Sequence, residues 1–400
     1  MKTFRAWFAI CSLFLLSPAV FAQFTLIYVT NGNAITLTGY TGTPGGVTIP
    51  NFVTSIRFDV FQQCSSLTSV TIPNSVTNIG DNAFYHCPSL TSVTISSSVA
   101  YWGTFAFADC TNLTSVTFAD GLTSIGPYAF YVCVSLTSVT IPSSVTNWGS
   151  DAFEFCTSLT NVTFLDGLTS IGAYAFTQCT NLANVAIPNS VTNIGDYAFA
   201  ACANLNSVTI GNGVVTISEY AFDHCTSLTN VAIPNSVTAI EDDAFVLCTN
   251  LISVTIGTGV TNIGWGVLAF CSNLTSVNFQ GNAPSVGSYG YEAFYADPVT
   301  VYYLPGTTGW AAFSASAEVP VALWNPVIQT GDGSFGIQGS LFGFTITGTA
   351  NIPIIVAANP DLANGAWTPL QSCTLTNGSI YFTDPGWTNY PSRFYSIIFP

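Results

Sequence analysis

Ten cysteines, Cys64, Cys87, Cys110, Cys133, Cys156, Cys179, Cys202, Cys225, Cys248 and Cys271, each stand 23 residues from the next. A leucine column keeps the same interval from Leu67 to Leu274. A period of this length leaves little choice of architecture. Each unit is one coil, too short to bury its apolar side alone, so it must stack on its neighbours. The spacing therefore predicts a solenoid, with nine complete coils between Leu67 and Asn273. Val47-Thr48-Ile49-Pro50 already keeps register with Val70-Thr71-Ile72-Pro73, which marks a cap before them. A broken coil follows, where the phenylalanine column jumps 26 residues from Leu268 to Phe294.

One coil, Leu67 to Ser89, carries the grammar of all. Val70 and Ile72 alternate with Ser69 and Thr71, the two-residue period of a half-buried strand rich in β-branched side chains. Pro73-Asn74-Ser75 then makes a turn, with Asp120-Gly121, Asp166-Gly167 and Asn212-Gly213 in the same columns elsewhere. A second extended piece, Val76 to Ile79, stops at Gly80. Glycine recurs in that column at 103, 126, 149, 172, 195 and 264, from which a positive φ is expected. Asp81, Ser150, Asp196 and Asp242 stand where a helical turn needs an N-cap, and Ala83, Phe84 and Cys87 follow at the spacing of one buried helical face. The expected coil is strand, turn, extended segment, helical turn. Each cysteine ends a Phe-x-x-Cys face, so it should point inward as a small hydrophobe. Parallel neighbours in one column rarely reach disulfide geometry, and a line of sulfurs is no zinc tetrahedron.

These repeats, read as LTSVTIPNSVTNIGDNAFYHCPS, resemble leucine-rich repeats of the BspA-like kind over roughly residues 40 to 310. The resemblance implies a right-handed leucine-rich-repeat solenoid with a parallel strand face and short helical turns. It also implies a bacterial cell-surface or secreted protein that adheres to other proteins or cells. One departure is plain: the asparagine or cysteine of the common repeat, three residues after the strand, is here Ser75, Ser98, Gly121, Ser144 or Gly167. Residues 23–46, with Asn31-Gly32-Asn33 between two alternating runs, read as a β-hairpin cap. The solenoid with its closing strand at Val299 to Pro305 spans 47–324, and residues 325–400 read as a small all-β C-terminal module.

At the other end, Lys2 and Arg5 precede an apolar run from Ala6 to Leu16 that leads to Val20-Phe21-Ala22, the pattern of a cleaved signal peptide over 1–22. Removing it leaves Arg57 and Arg393 against 19 Asp+Glu, a side-chain charge of −17. Nucleic acid and anionic membranes are poor partners for such a surface. No later apolar run approaches the ~18 residues of a membrane span. Secretion or retention at the cell surface, with no transmembrane segment after the signal peptide, is the expectation.

Chemistry is hard to assemble from the remaining residues. His86 and His224 share a column but lie six coils apart, about 28 Å at ~4.7 Å per strand, so neither completes the other's site. No Gly-x-Ser-x-Gly elbow or Ser-His-Asp set emerges. Asp196, Glu219 and Asp242 stack in one column, without the Asp-x-Asp-x-Asp-Gly loop of a calcium site. No catalytic, cofactor or metal residues are therefore assigned. The strand face offers serine, asparagine and threonine columns and no aromatic or charged anchor, a poor place for a tight interface. Aromatics gather in the variable columns, and Tyr85, Tyr101, Tyr131 and Phe155 are the expected ligand contacts, with Trp102, Trp148 and Trp265 close by in sequence. The reading is a non-enzymatic adhesion or binding scaffold for an extracellular protein or glycan. A passive structural surface or matrix protein is the alternative, and a flat threonine array leaves ice binding as a third.

Overall fold

The computed structural model describes residues 24–287, 292–363 and 365–399, so the signal peptide assigned to 1–22 lies outside the described residues. Successive Ser-Val-Thr-Ile strands pair in parallel at the 23-residue interval, Val70 with Val93 and Thr94 with Thr117. Eight such strands, from Gly46–Thr48 to Ser207–Thr209, form one sheet. A five-stranded sheet continues the stack from Asn230–Ile233 to Val321–Leu323. Two-residue strands such as Asn78–Ile79 and Tyr101–Trp102 build a second parallel ladder after the turn. The hairpin Thr25–Asn31 and Ala34–Thr41 pairs with its first strand and covers the end. Together these make a parallel β-solenoid with a small all-β region after it.

The core follows from the register. Because equivalent residues face each other at the strand spacing, nine phenylalanines from Phe61 to Phe245 form a buried spine. Neighbouring rings are 4.6–5.6 Å apart and within 10° of parallel. The ten periodic cysteines are free and buried beside it. From Cys87 to Cys271 each thiol lies 3.1–3.4 Å from the carbonyl oxygen of the phenylalanine 26 residues earlier, and donates to it. That bond is a second donor to a buried carbonyl that in most coils also accepts a backbone amide, as Phe130 O does from Cys133 N–H at 3.3 Å, and alanine in this column would leave the carbonyl with the amide alone. Burial pushes the Cys133 and Cys202 thiols up to about 12, so they stay protonated.

The expected helical turn is not a helix. Between Gly80 and Leu90 the chain makes consecutive tight turns, Ala83 N–H to Gly80 O and Tyr85 N–H to Asn82 O. Two residues per coil, four apart, are left-handed: Asn82 and His86 at φ 51 and 52, Phe105 and Asp109 at 59 and 57. The amides of Asn82, Phe84 and His86 then donate to Thr104, Ala106 and Ala108 of the next coil at 2.8–3.0 Å. The pattern repeats along the stack, so three chains of amides run from coil to coil with every N–H toward the C-terminal end. A left-handed non-glycine residue costs about 1–2 kcal/mol. Three backbone bonds of about 0.5–1.5 kcal/mol each per coil, and the desolvation penalty of leaving those groups unpaired, offset two such residues.

The glycine column also has another cause than the one expected. None of Gly80, Gly103, Gly126, Gly149, Gly172, Gly195 and Gly264 has a positive φ. Close approach is the reason: a Cβ on Gly103 would sit 2.1 Å from the Asp81 amide nitrogen, and one on Gly149 2.0 Å from Pro127 N. The expected N-caps likewise act between coils. Asp81 Oδ1 accepts from the Thr104 amide at 2.8 Å and Asp242 Oδ1 from the Trp265 amide at 3.0 Å.

Beyond the last coil the strand Thr300–Tyr303 closes the stack, and the chain then adds a helix, Trp310–Ser316, and one more parallel strand, Val321–Leu323. The sequence reading contained neither, because the 23-residue period ends before them. The helix buries Trp310 and Phe313 against Phe279. Residues 327–398 form two antiparallel sheets around Phe344, Ile346, Ile354, Val356 and Phe382. Tyr302 and Trp324 join that second core, the latter through an indole bond to the Pro353 carbonyl at 2.9 Å. Ser276 and Asn278 are buried beside it, so the strand face is open only over the earlier coils.

Candidate functional site

The solenoid presents a strand face, a proline-turn edge, a second strand ladder and a left-handed turn edge. The strand face presents exposed Thr71, Thr94, Thr117, Thr140 and Thr163 in register, beside serines and asparagines. The proline-turn edge holds a hollow of about 610 Å³, lined by Pro73, Asn74, Ser75 and Ser96 without an aromatic or a charge. The left-handed turn edge differs, because its columns change identity from coil to coil.

In the first left-handed column stand Asn82, Phe105, Tyr128, Asp151, Tyr174, Tyr197, Tyr220 and Asp243. Tyr174, Tyr197 and Tyr220 stack at 4.6 and 4.5 Å with interplanar angles of 8° and 10°, so their faces are used on one another. The Tyr220 hydroxyl ends the stack on Asp243. Two coils earlier the rings do something else. Tyr85 meets Phe105 at 70°, Phe105 meets Tyr131 at 74°, Tyr128 meets Tyr131 at 76° and Tyr131 meets Phe155 at 89°, with centroids 5.6–6.4 Å apart. Edge-to-face rings of this kind wall a space rather than tile a plane. Asn82, Tyr85, Phe105, Asp109, Tyr131 and Val132 line a groove of about 530 Å³ there, within the size range of ligand sites.

Carboxyls surround this groove. Asp109 Oδ2 lies 2.6 Å from His86 Nδ1. Asp151 is buried and hydrogen-bonds Tyr128 and Glu154. Burial first, then the bond and charge of Asp151, push the Glu154 carboxyl up to about 7. Burial and the Glu154 charge also raise the Tyr131 phenol, as the Asp151 charge does that of Tyr128.

Of the four expected contact residues, the structure brings together Tyr85, Tyr131 and Phe155. Tyr101 lies elsewhere, 58% exposed on the second strand ladder, above a Trp102 that is only 6% exposed. Phe105 and Tyr128 were missed, although their own 23-residue column with Tyr174, Tyr197 and Tyr220 was a readable signal. His86 and His224 each pair with one aspartate, Asp109 and Asp223. Among the described residues no three His, Cys, Asp or Glu side chains are grouped to hold a metal ion.

The repeat geometry has its counterpart in known sequences. A model of the BspA type leucine-rich repeat region matches six copies over residues 45–160 and 169–300. The chain belongs to the BspA type leucine-rich repeat family. Solved structures similar to it include a leucine-rich cell surface protein from Faecalibacterium prausnitzii, 28% identical over 66% of this chain and 96% of that one, with a TM-score of 0.32. A leucine-rich repeat protein from Bacteroides ovatus is 23% identical over 78% of this chain and 100% of its own, with a TM-score of 0.33. The pneumococcal vaccine antigen PcpA is 18% identical over 76% and 98%, with a TM-score of 0.40. No curated protein matches the chain. Among the described residues, no helix of this BspA type repeat protein is long and apolar enough to cross a membrane.

Proposed function

We propose that this BspA type repeat protein is an exported, non-enzymatic adhesion or binding scaffold, and that its ligand, an extracellular protein or glycan, docks on the left-handed turn edge. The observation that carries the reading is the aromatic groove lined by Tyr85, Phe105 and Tyr131, with Tyr128 and Phe155 packed against Tyr131. Affinity concentrates in a few large side chains that desolvate well, and the strand face has none among its open coils. Membership of the family supports a surface role, and the charged and apolar pattern of residues 1–22 supports export. The test is capture of partners from native extracellular material by wild type, Tyr131→Ala and Thr117→Ala, after their melting curves are matched. Loss of capture for Tyr131→Ala alone supports the reading. Equal capture by all three shifts it to a passive structural role, and inhibition of ice growth that vanishes with threonine replacement shifts it to ice binding.

A further inference from the structure

The groove also has a readable preference, and naming it rests on the binding role just proposed. We propose that the Tyr85–Phe105–Tyr131 groove takes a cationic side chain, lysine or arginine, presented by a basic segment of an extracellular protein. Ring geometry is the first argument. A sugar needs a flat aromatic platform to lie on, but the three lining rings meet edge to face, Tyr85 with Phe105 at 70° and Phe105 with Tyr131 at 74°, and share no plane, while Phe105 packs at 31° against Tyr128 outside the lining. Such walls suit a cation, which is drawn to ring faces by their quadrupoles. The nearby Tyr174–Tyr197–Tyr220 stack provides an internal contrast, because its rings lie parallel on one another.

Charge is the second argument. Between residues 82 and 155 the chain has no lysine or arginine, and it has Asp109, Asp120, Asp151 and Glu154. Asp109 lines the groove itself, and the Asp151–Glu154 pair adjoins Tyr128 and Tyr131. The described arginines are held elsewhere, Arg57 over the Phe58 ring and Arg393 on Asp384 and over Tyr390. Among the described residues, an incoming cation therefore meets carboxyl groups and aromatic rings with no resident competitor except His86, which pairs with Asp109.

Titration calorimetry of the full protein with a deca-lysine peptide, at physiological ionic strength where long-range attraction is screened, tests this. Tyr131→Leu and Phe105→Leu keep the charge and the apolar bulk but remove ring faces. Each is expected to weaken binding roughly tenfold, on the scale of a desolvated cation–π contact. Tyr101→Leu, away from the groove, should bind as wild type, and the peptide acetylated on every lysine should not saturate. Tyr131 is not among the left-handed residues, so leucine there meets no backbone constraint, and a matched melting curve for either variant keeps the comparison valid. Equal affinity of both groove variants and wild type overturns the proposal in favour of diffuse electrostatics. Saturable binding of neutral oligosaccharides at the groove, with none of the lysine peptide, also overturns it but leaves the binding role standing. If partner capture is insensitive to the groove as well, both fail.

Discussion

At the residue scale, a 23-residue interval makes each substitution a question about the coils above and below. A cysteine thiol is held by the phenylalanine carbonyl 26 residues earlier, so its chemistry is set by a neighbouring coil. Thiol titration of the folded protein at mildly alkaline pH should modify Cys373, which is only partly buried, and leave the ten periodic cysteines unreacted until denaturant is added. Release of those thiols only after reduction, two for each disulfide, would contradict the account. Backbone strain gives a second handle. Ala201 is left-handed at φ 55, so Ala201→Gly should raise stability by about 0.5–1 kcal/mol, relief of strain outweighing the entropy glycine adds to the unfolded chain. Gly103→Ala should act oppositely, costing about 2–3 kcal/mol or more, because its methyl would overlap the Asp81 backbone and neither strand can retreat from a stacked coil. Urea melts of the two variants beside wild type measure both signs.

Elements were legible in the sequence wherever the interval itself was the signal. The strands, the hairpin around Gly32, the buried Ile, Leu and Phe columns and the cysteine ladder follow from which residues recur, and the structure has them in those columns. The turn edge was not legible to the same degree, for a physical reason. Ala83, Phe84 and Cys87 bury the same face whether the segment is one helical turn or two tight turns, and only the inter-coil amides of Asn82, Phe84 and His86 distinguish them. That is also why Phe105 and Tyr128 were missed as site residues: the left-handed column lies outside the apolar spacing that drew the eye. Past the last coil no period constrains the reading, and the helix Trp310–Ser316 and the strand Thr368–Thr374 emerge only from packing. The C-terminal region nevertheless meets the solenoid through Tyr302 and Trp324. Deleting 325–400 should leave a folded solenoid, capped by Trp310 and Phe313, while hydrogen exchange quickens in Ser276–Phe279 and Thr300–Tyr303, which the region covers. Loss of the cooperative melt on deletion would place those sheets inside the folding unit.

For the whole molecule, acid placement makes stability depend on pH in an unusual direction. Burial raises Glu154 to about 7 and Asp297 to about 8, and also raises Asp223, Glu241 and Asp243. The folded state then holds protons that the unfolded chain releases, so the contribution is complete below the ordinary carboxyl range and is lost as pH rises toward 8. The melting temperature should therefore fall as pH goes from 5 to 8, and Glu154→Gln should flatten part of that slope. A stack joined by aligned amides along one edge also makes the solenoid a long, stiff support, and a stiff support places an aromatic groove without an ordering cost on binding. The central claim is that recognition happens at this groove and not on the polar strand face. Site-specific photo-crosslinking tests it most directly, with the photoreactive residue placed at Tyr128 on the turn edge or at Thr117 on the strand face, and the protein incubated with native extracellular material. The account predicts a discrete cross-linked partner from position 128 and none from position 117; a partner captured from position 117 alone would contradict it.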